Sequence, residues 1–262
     1  MAALSTSSTI VLIPARLASA RLPDKPLAEI GGLPMIVQVW KRAMEADIGP
    51  VVVAAGDSAI ADAITAHSGD AVLTDPNLPS GSDRITAALE AIDPDRRYQR
   101  VVNLQGDLPT IDPALLRAVL RPLDMLGTDI ATLAVATNNP AERDDPNVVK
   151  AVIAFQPTDG PASEPTAAGL GRALYFTRAT APSGPGPVYH HIGIYAYQRT
   201  ALERFATLQP SPLERRERLE QLRALEHGMT IGVARLAEPV PPGIDTVEDL
   251  QRAEELWLTL SR

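Results

Sequence analysis

The 262-residue chain contains no cysteine, so disulfide bonds, thiolate nucleophiles and cysteine-ligated zinc sites are excluded. Aromatic residues make up only 4% of the chain, which leaves alanine, leucine, valine and isoleucine to build the core. Basic residues are in the minority, with 24 Lys and Arg against 32 Asp and Glu. Because nucleic-acid binding needs a basic surface, no nucleic-acid partner is expected, although a few focused cations can still bind a small phosphate ligand.

Long hydrophobic runs are missing as well. Residues 1–9 carry no basic side chain, and the apolar run at 10–13 is too short for a signal peptide or a membrane span. No other stretch reaches about 18 uncharged apolar residues. These absences, together with the lack of cysteine, predict a soluble cytoplasmic protein with no membrane partner.

Short β-branched runs alternate with longer amphipathic stretches along the chain. This alternation predicts an α/β fold with a largely parallel sheet, because several of the runs are continuously apolar, as buried parallel strands are. We find no internal repeat and expect one domain over residues 1–262. The predicted strands cover residues 9–13, 51–55, 71–73, 100–105, 129–135, 148–155, 173–176, 191–197 and 230–235.

Four helices carry clear start, stop or periodicity signals. Ser211 with Glu214 forms a predicted capping box, and Gly228 supplies a left-handed end to that helix. Two segments lack periodicity and predict loops, the Pro- and Gly-rich stretch at 156–171 and the PSGPGP sequence at 182–187. The predicted helices cover residues 33–44, 112–125, 211–228 and 246–260.

The loop after the first strand is rich in cations. It places Arg16, Arg21 and Lys25 at the carboxyl end of a strand, where ligands bind in open α/β sheets. Small residues and prolines around them would let backbone N–H groups approach a phosphate chain. The alternative is an ordinary surface loop with solvated cations. The sequence lacks the glycine–lysine pattern of a Walker A loop.

Two aspartates lie next to other predicted elements. Asp107 comes after a buried strand, and Asp245 precedes the last helix. Because Mg²⁺ takes one or two protein carboxylates together with substrate phosphate oxygens, the pair could hold one Mg²⁺ ion. A turn aspartate at 107 and a helix cap at 245 explain the same residues without a metal.

Three further groups of residues are candidates for a binding site. The stretch from Ser80 to Arg84 either binds a nucleotide or only caps a helix. His190 and His191 are adjacent on a strand, so they point to opposite faces and cannot chelate one ion together. Glu220 and Gln221 lie off the leucine stripe of their helix, which favours a solvated face for both.

The order and length of the motifs resemble the 3-deoxy-D-manno-octulosonate (Kdo) cytidylyltransferase family, also called the CMP-Kdo synthetases. The resemblance spans nearly the whole chain. Its motifs are IPARLASARLPDKPL at 13–27, NLQGDLP at 103–109, DPNVVKAV at 145–152, ALYFTRA at 173–179, HIGIYAY at 191–197, SPLERRERLEQLRAL at 211–225 and GIDTVEDL at 243–250.

The resemblance implies a three-layer αβα, Rossmann-like nucleotide-diphospho-sugar transferase fold with a mixed, mostly parallel sheet. It implies a Mg²⁺-dependent nucleotidyltransferase that makes CMP-Kdo from CTP and Kdo for lipopolysaccharide, works as a homodimer and dimerises through an arm at about 148–190. The catalytic set would be Arg16, Lys25 and Asp107, with Asp107 and Asp245 as metal ligands. Cytidine nucleotide would meet Ala15, Arg16, Lys25, Ser80, Gly81, Arg84 and Gln105. The sugar acid would meet Arg21, Gln105, His191, Tyr195, Glu220 and Gln221.

The chain departs from the family pattern at a few positions. Leu108 stands where an acidic residue is usual, Leu78 where a histidine is usual, and no tryptophan occurs near Ser183. Ala55 and Gly56 replace a Thr-Asp pair. These departures leave two alternatives beside the leading interpretation, a cytidylyltransferase for a related ulosonic acid and a catalytically weakened nucleotide-binding homologue.

Overall fold

Strands and helices alternate along the first of the two compact units into which the chain divides. The computed structural model describes residues 8–18, 22–156 and 169–260. One unit comprises residues 1–117 and 241–262, and the other comprises residues 118–240. A single domain over 1–262 stays a prediction, because two compact units can belong to one domain.

The first unit contains a parallel sheet with strand order β5-β4-β1-β6. Strand β4 is buried along its whole length, as expected for an apolar strand covered on both faces. Its strands are β1 (Thr9–Ala15), β4 (Val51–Ala55), β5 (Asp70–Leu73) and β6 (Arg100–Asn103), and a hairpin is formed by β2 (Glu29–Ile30) and β3 (Leu33–Pro34). Its helices are α1 (Met35–Glu45), α2 (Ser58–Thr65), α3 (Gly81–Ile92), α4 (Ala114–Ala118) and α10 (Val247–Leu260); a 3₁₀ turn covers Lys25–Leu27.

The second unit is built mainly from antiparallel strands. Its order is β10-β7-β11-β9-β8, and β8 also pairs with β10 at His190 and Lys150. Among the described pairings of this unit, β7 with β11 is parallel and the others are antiparallel. Its strands are β7 (Ile130–Thr137), β8 (Lys150–Phe155), β9 (Leu170–Thr177), β10 (Val188–Gln198) and β11 (Ile231–Leu236). Its helices are α5 (Arg121–Leu126), α6 (Pro140–Asp144), α7 (Arg199–Thr207), α8 (Pro212–Glu217) and α9 (Gln221–Glu226).

The expected α/β class is therefore confirmed as a mixed α/β fold, whereas the expected predominance of parallel pairing holds within the first unit and not within the second. The burial pattern of the second unit gives a physical reason. Strand β9 alternates exposed and buried positions through Arg172, Ala173 and Leu174, which is typical of a strand with one face in solvent.

Two predicted helices are broken in the structure. The stretch 112–125 divides into α4 and α5, because Pro122 has no N–H to continue the helical bonding. The stretch 211–228 divides into α8 and α9 at Arg218, whose φ is +56°. There the Arg178 side chain donates to the carbonyl oxygen of Glu217 at 2.9 Å. Glu217 is the last residue of α8, so this bond satisfies a carbonyl at the end of that helix.

The other helix signals agree with the structure. The capping box of Ser211 and Glu214 is present, and Gly228 is left-handed at +74°. The last helix, α10, covers Val247–Leu260. No described helix combines the length and the apolar character needed to cross a bilayer.

The predicted loop at 182–187 is confirmed, whereas part of the predicted loop at 156–171 is wrong. The Arg143 guanidinium holds the 182–187 loop by donating to the carbonyl oxygens of Pro182, Gly184 and Gly186. Leu170 and Gly171, which the sequence places in the 156–171 excursion, belong to β9, so that part of the prediction is wrong. They are recruited because β8 and β11 both pair with this segment. Residues 157–168 lie outside the described residues.

Candidate active site

A cavity of about 410 Å³ opens at the carboxyl ends of β1 and β6 in the first unit. Its lining combines three cationic side chains with small and polar residues, and one carboxylate lies at its edge. The lining residues are Pro14, Ala15, Arg16, Ala18, Lys25, Pro26, Leu78, Ser80, Gly81, Arg84, Gln105, Gly106 and Asp107. All seven residues that the resemblance assigns to cytidine nucleotide are among them.

Two glycines let the backbone segments around this cavity approach one another. A Cβ on Gly106 would stand 3.1 Å from the Pro14 carbonyl oxygen, and one on Gly81 would stand 3.3 Å from the Pro14 side chain. A larger residue at either position would press on the end of β1. The small residues noted in the sequence therefore bring backbone close to the space that a ligand would fill.

The loop after β1 is held by a residue from the end of β4. The Leu17 N–H donates to the Asp57 carboxylate at 2.8 Å. This bond fixes the backbone next to Arg16, whose side chain is exposed at the cavity. Arg21 lies outside the described residues.

Arg84 is buried beside the cavity and fastens a neighbouring loop. Its guanidinium donates to the Thr74 hydroxyl and to the carbonyl oxygens of Asp75 at 3.1 Å and Pro76 at 3.3 Å. Burial, reinforced by the positive charge of Arg16, lowers the pKa of Arg84 below its ordinary value. A negatively charged ligand in the cavity would relieve the repulsion between these two cations.

Ser80 begins α3 as an N-cap. Its hydroxyl oxygen accepts from the Asp83 N–H at 3.1 Å, and its hydroxyl donates to the Asp83 carboxylate at 2.8 Å. The capping interpretation of this stretch is therefore correct. Because Ser80 and Gly81 also line the cavity, capping and ligand contact are not exclusive here.

Lys25 joins the two aspartates that the sequence places far apart. Its Nζ lies 3.0 Å from Asp107 Oδ2 and 3.0 Å from Asp245 Oδ1, and it donates to the Ile244 carbonyl oxygen at 2.8 Å. Both carboxylates thus share one cation. The predicted convergence of remote chain segments is present in the structure.

Local bonding explains how Asp245 reaches this point instead of capping α10. Thr246 and Asp249 cap that helix reciprocally, since the Thr246 hydroxyl accepts from the Asp249 N–H while Asp249 accepts from the Thr246 N–H. The Ile244 N–H donates to the Asp107 carbonyl oxygen at 3.0 Å, which ties the two loops together. The plain helix-cap interpretation of Asp245 is therefore wrong.

The charges in this cluster reinforce each other. Burial alone would lower the pKa of Lys25, but Asp107 and Asp245 outweigh it and raise that pKa above its ordinary value. Two carboxylates on one cation also fit the oxygen-ligand preference of Mg²⁺, which completes its shell with water and phosphate oxygens. The described residues contain no cluster of three or more His, Asp or Glu side chains suited to a metal.

The second unit gathers four of the residues that the resemblance assigns to the sugar acid. The rings of His191 and Tyr195 lie 5.5 Å apart on β10. Burial, with the negative charge of Glu220 among its neighbours, raises the pKa of Tyr195 well above its ordinary value. Gln221 is buried at the start of α9, so the expectation of a solvated face is wrong for it.

His191 is held as a neutral imidazole. Burial, with a smaller contribution from His190, lowers its pKa to about 3. Its Nε2 lies 3.0 Å from the Thr132 hydroxyl, while His190 lies 3.8 Å from the Glu142 carboxylate. The two histidines have different partners, as the alternation of a strand predicts.

Comparison with known proteins decides the family. A family model described as "Cytidylyltransferase" matches residues 10–231. The 3-deoxy-manno-octulosonate cytidylyltransferase of Rhodospirillum centenum is 62% identical over 94% of this chain and 92% of the relative, and that of Parvibaculum lavamentivorans is 58% identical over 93% and 90%. The chain belongs to the 3-deoxy-manno-octulosonate cytidylyltransferase family.

A solved structure of the same family agrees. The structure of CMP:2-keto-3-deoxy-manno-octonic acid synthetase complexed with CTP is 33% identical, has a TM-score of 0.85 and covers 97% of this chain and 100% of its own. The resemblance stated from the motifs is therefore confirmed. So is the nucleotidyltransferase class of this cytidylyltransferase.

Reasoning from the motifs missed one site residue in this cytidylyltransferase. Asp57 received no role, yet it holds the loop that carries Arg16 through Leu17. A signal was present, because Asp57 follows the buried strand β4 much as Asp107 follows β6. Polar residues directly after apolar strands are typical of ligand sites in α/β proteins.

Proposed function

We propose that this chain transfers CMP from CTP to Kdo and releases pyrophosphate. The anomeric hydroxyl oxygen of Kdo attacks the α-phosphorus of CTP and forms the new P–O bond. The bond from that phosphorus to the bridging oxygen breaks, pyrophosphate leaves with the electron pair, and the hydroxyl proton passes to solvent. The products are CMP-Kdo and pyrophosphate.

The observation that carries the proposal is the Lys25 bridge between Asp107 and Asp245 at a cavity lined by further cations. Phosphoryl-type transfer depends mostly on positioning and charge neutralisation, which this cluster can supply. Lys25 and Arg16 hold the triphosphate, and Lys25 stabilises negative charge as it develops on the leaving pyrophosphate. Asp107 and Asp245 would hold Mg²⁺, which when bound lowers the repulsion between the two anionic substrates.

Other residues supply recognition in this proposal. Ala15, Ser80, Gly81, Arg84 and Gln105 bind the cytidine nucleotide in the cavity of the first unit. Arg21, Gln105, His191, Tyr195, Glu220 and Gln221 bind the sugar acid, with neutral hydrogen-bonding groups for its hydroxyls. The family resemblance also supports a three-layer αβα fold, a homodimer with an arm at about 148–190, a cytoplasmic location and a role in lipopolysaccharide synthesis.

The test is a pyrophosphate-release assay with matched substrate pairs. We expect release with CTP and Kdo in the presence of Mg²⁺, and none after the metal is chelated. UTP or dTTP with a hexose 1-phosphate is the control pair. Release with the control pair alone would contradict the proposal, as would CTP binding by calorimetry without any product.

A further inference from the structure

The hairpin of β2 and β3 packs against the last helix, and its Gly31 makes a close contact there. The Gly31 N–H donates to the Glu254 carboxylate of α10 at 3.0 Å. Gly31 has a φ of +58°, and a Cβ built on it would fall on the indole ring of Trp257. The hairpin is therefore packed directly against the helix at Gly31, where there is no room for a side chain.

On one side, this contact is closely coupled to Lys25. The 3₁₀ turn that carries Lys25 is closed by the Leu27 N–H donating to the Asp24 carbonyl oxygen at 2.8 Å. The hairpin follows at once, and its base is closed by the Met35 N–H donating to the Ala28 carbonyl oxygen at 2.8 Å. A displacement of the hairpin would therefore carry the Lys25 backbone with it.

On the other side, the contact is coupled to Asp245. The Asp249 carboxylate accepts from the backbone N–H of Asp245 at 3.0 Å and from that of Thr246 at 2.9 Å. Helix α10 then runs without a break to the turn that carries Trp257. Since an α-helix rises about 1.5 Å per residue as a stiff rod, its seating at Trp257 sets where its first turn lies.

The hairpin segment and the α10 segment also contact each other where Lys25 Nζ meets the Asp245 carboxylate. The two segments are therefore joined at both ends, at Gly31 and at Lys25. We propose that Glu254 and Trp257, seated on Gly31, are positioning residues that keep Asp245 within reach of Lys25 and Asp107. The proposal rests on the proposed function insofar as Asp245 takes part in the reaction. It adds a remote contact, outside the cavity, that sets the geometry of the carboxylate pair.

The sharpest test compares Gly31→Ala with Gly32→Ala. Both glycines are left-handed, at +58° and +76°, but a Cβ on Gly32 meets nothing within 4 Å. The two variants therefore carry the same type of backbone strain, and they differ in the clash with Trp257. Amide hydrogen exchange of residues 244–249, in the protein without ligands, is the first measurement.

We expect exchange over 244–249 to be about tenfold faster in Gly31→Ala than in Gly32→Ala, because the helix loses its seat. In the pyrophosphate assay, Gly31→Ala should need about tenfold more Mg²⁺ for half-maximal turnover, since misplacing a ligand weakens the site. Its turnover should recover towards that of Gly32→Ala at high Mg²⁺. Equal exchange in the two variants, or equal loss of turnover at every Mg²⁺ concentration, would overturn the proposal.

Tryptophan fluorescence identifies the seat itself, because the chain has only two tryptophans. Trp40→Phe leaves Trp257 as the reporter, and within the described residues no atom accepts the buried Trp40 indole N–H. In this background, Gly31→Ala should shift the Trp257 emission, and Gly32→Ala should not. Adding Trp257→Leu to Gly31→Ala should relieve the clash and restore part of the protection over 244–249.

A second pair keeps the proposal testable if Gly31→Ala does not fold. Glu254→Ala removes the acceptor of the Gly31 N–H, whereas Glu255→Ala changes an exposed neighbour on the same helix. We expect faster exchange over 244–249 for Glu254→Ala alone, and identical exchange would contradict us. Absence of pyrophosphate release by the wild-type protein would overturn the proposed function, but the exchange measurements would still decide the positioning role.

Discussion

The two units hold their polar candidate residues in opposite ways. In the first unit, Lys25, Asp107 and Asp245 keep 17%, 29% and 45% of their side-chain surface in solvent and neutralise one another as ions. In the second unit, His191 is buried and Tyr195 is half-buried, and burial lowers the pKa of His191 and raises that of Tyr195, which favours the neutral form of each. The first arrangement retains charge, and the second suppresses it.

This difference corresponds to the two partners of the proposed reaction. A triphosphate and a divalent cation need ionised ligands that are already assembled but still reachable. The hydroxyls of a sugar acid are better distinguished by neutral donors and acceptors in a dry setting, because a mismatched group there leaves a buried polar atom unsatisfied. Substitutions in the first unit should therefore mainly lower turnover. Substitutions in the second unit should mainly change the free energy of unfolding and its dependence on pH.

The largest effect should come from the carboxylate pair. We expect Asp107→Asn and Asp245→Asn each to lower turnover by about three orders of magnitude, near 4 kcal/mol of transition-state stabilisation, because each removes a charge from the predicted metal site. Asp112→Asn, a loop aspartate before α4, is the control. Pyrophosphate release and circular dichroism are the measurements. Near-wild-type turnover of either variant at low Mg²⁺ would contradict the shared-metal assignment.

The next effect should come from the cation between the carboxylates. Lys25→Met should lower kcat by about a hundredfold with a smaller change in KM for CTP, since its charge is most useful while the leaving group gains negative charge. Lys41→Met on the exposed face of α1 is the control. Unchanged kcat with weaker CTP binding would show that Lys25 only binds the ground state.

The second unit should respond to pH through stability. His191 has an ordinary pKa of 6.5 and a folded pKa of about 3, so between these values the unfolded chain binds a proton that the folded chain excludes. The contribution of His191 to the free energy of unfolding is therefore fully present above pH 6.5. It falls as the pH is lowered, by about 2 kcal/mol at pH 5. We therefore expect the free energy of unfolding to fall less between pH 7 and pH 5 for His191→Gln than for the wild-type protein.

Urea unfolding at both pH values measures this loss. His67→Gln is the control, because His67 lies on the turn after α2 and its ring contacts the Ala63 carbonyl oxygen rather than the core of the second unit. We expect the control to follow the wild-type pH dependence. Identical slopes for wild type and His191→Gln would mean that His191 is not held neutral.

Much of the first unit could be predicted from sequence because its signals are local. Strand β4 begins and ends where the apolar run predicts, and Ser80 caps α3 as its letters suggest. The convergence of Asp107 and Asp245 followed less directly, since each aspartate had a local explanation. The Mg²⁺ preference for one or two carboxylates suggested a shared site, the motif resemblance implied the same, and the Lys25 contacts give the physical reason.

The second unit was harder to predict because its structure depends on tertiary contacts. The break between α8 and α9 arises from the Arg178 side chain, which lies far away in sequence and takes the Glu217 carbonyl oxygen. The leucine spacing alone predicts one continuous helix across that break. Gln221 is buried at the first position of α9, directly after this break, and the leucine spacing predicted neither feature.

The smallest effect should come from Asp57, which holds the loop after β1 but does not line the cavity. Asp57→Ala removes the acceptor of the Leu17 N–H, so the loop should order only on binding CTP. We expect KM for CTP to rise about fivefold, near 1 kcal/mol, with kcat changed by less than about twofold. Asp62→Ala, exposed on α2, is the control. A fall in kcat as large as that of Lys25→Met would place Asp57 with the residues that act on the reacting phosphates, whereas an unchanged KM would mean that the loop keeps its conformation without this bond.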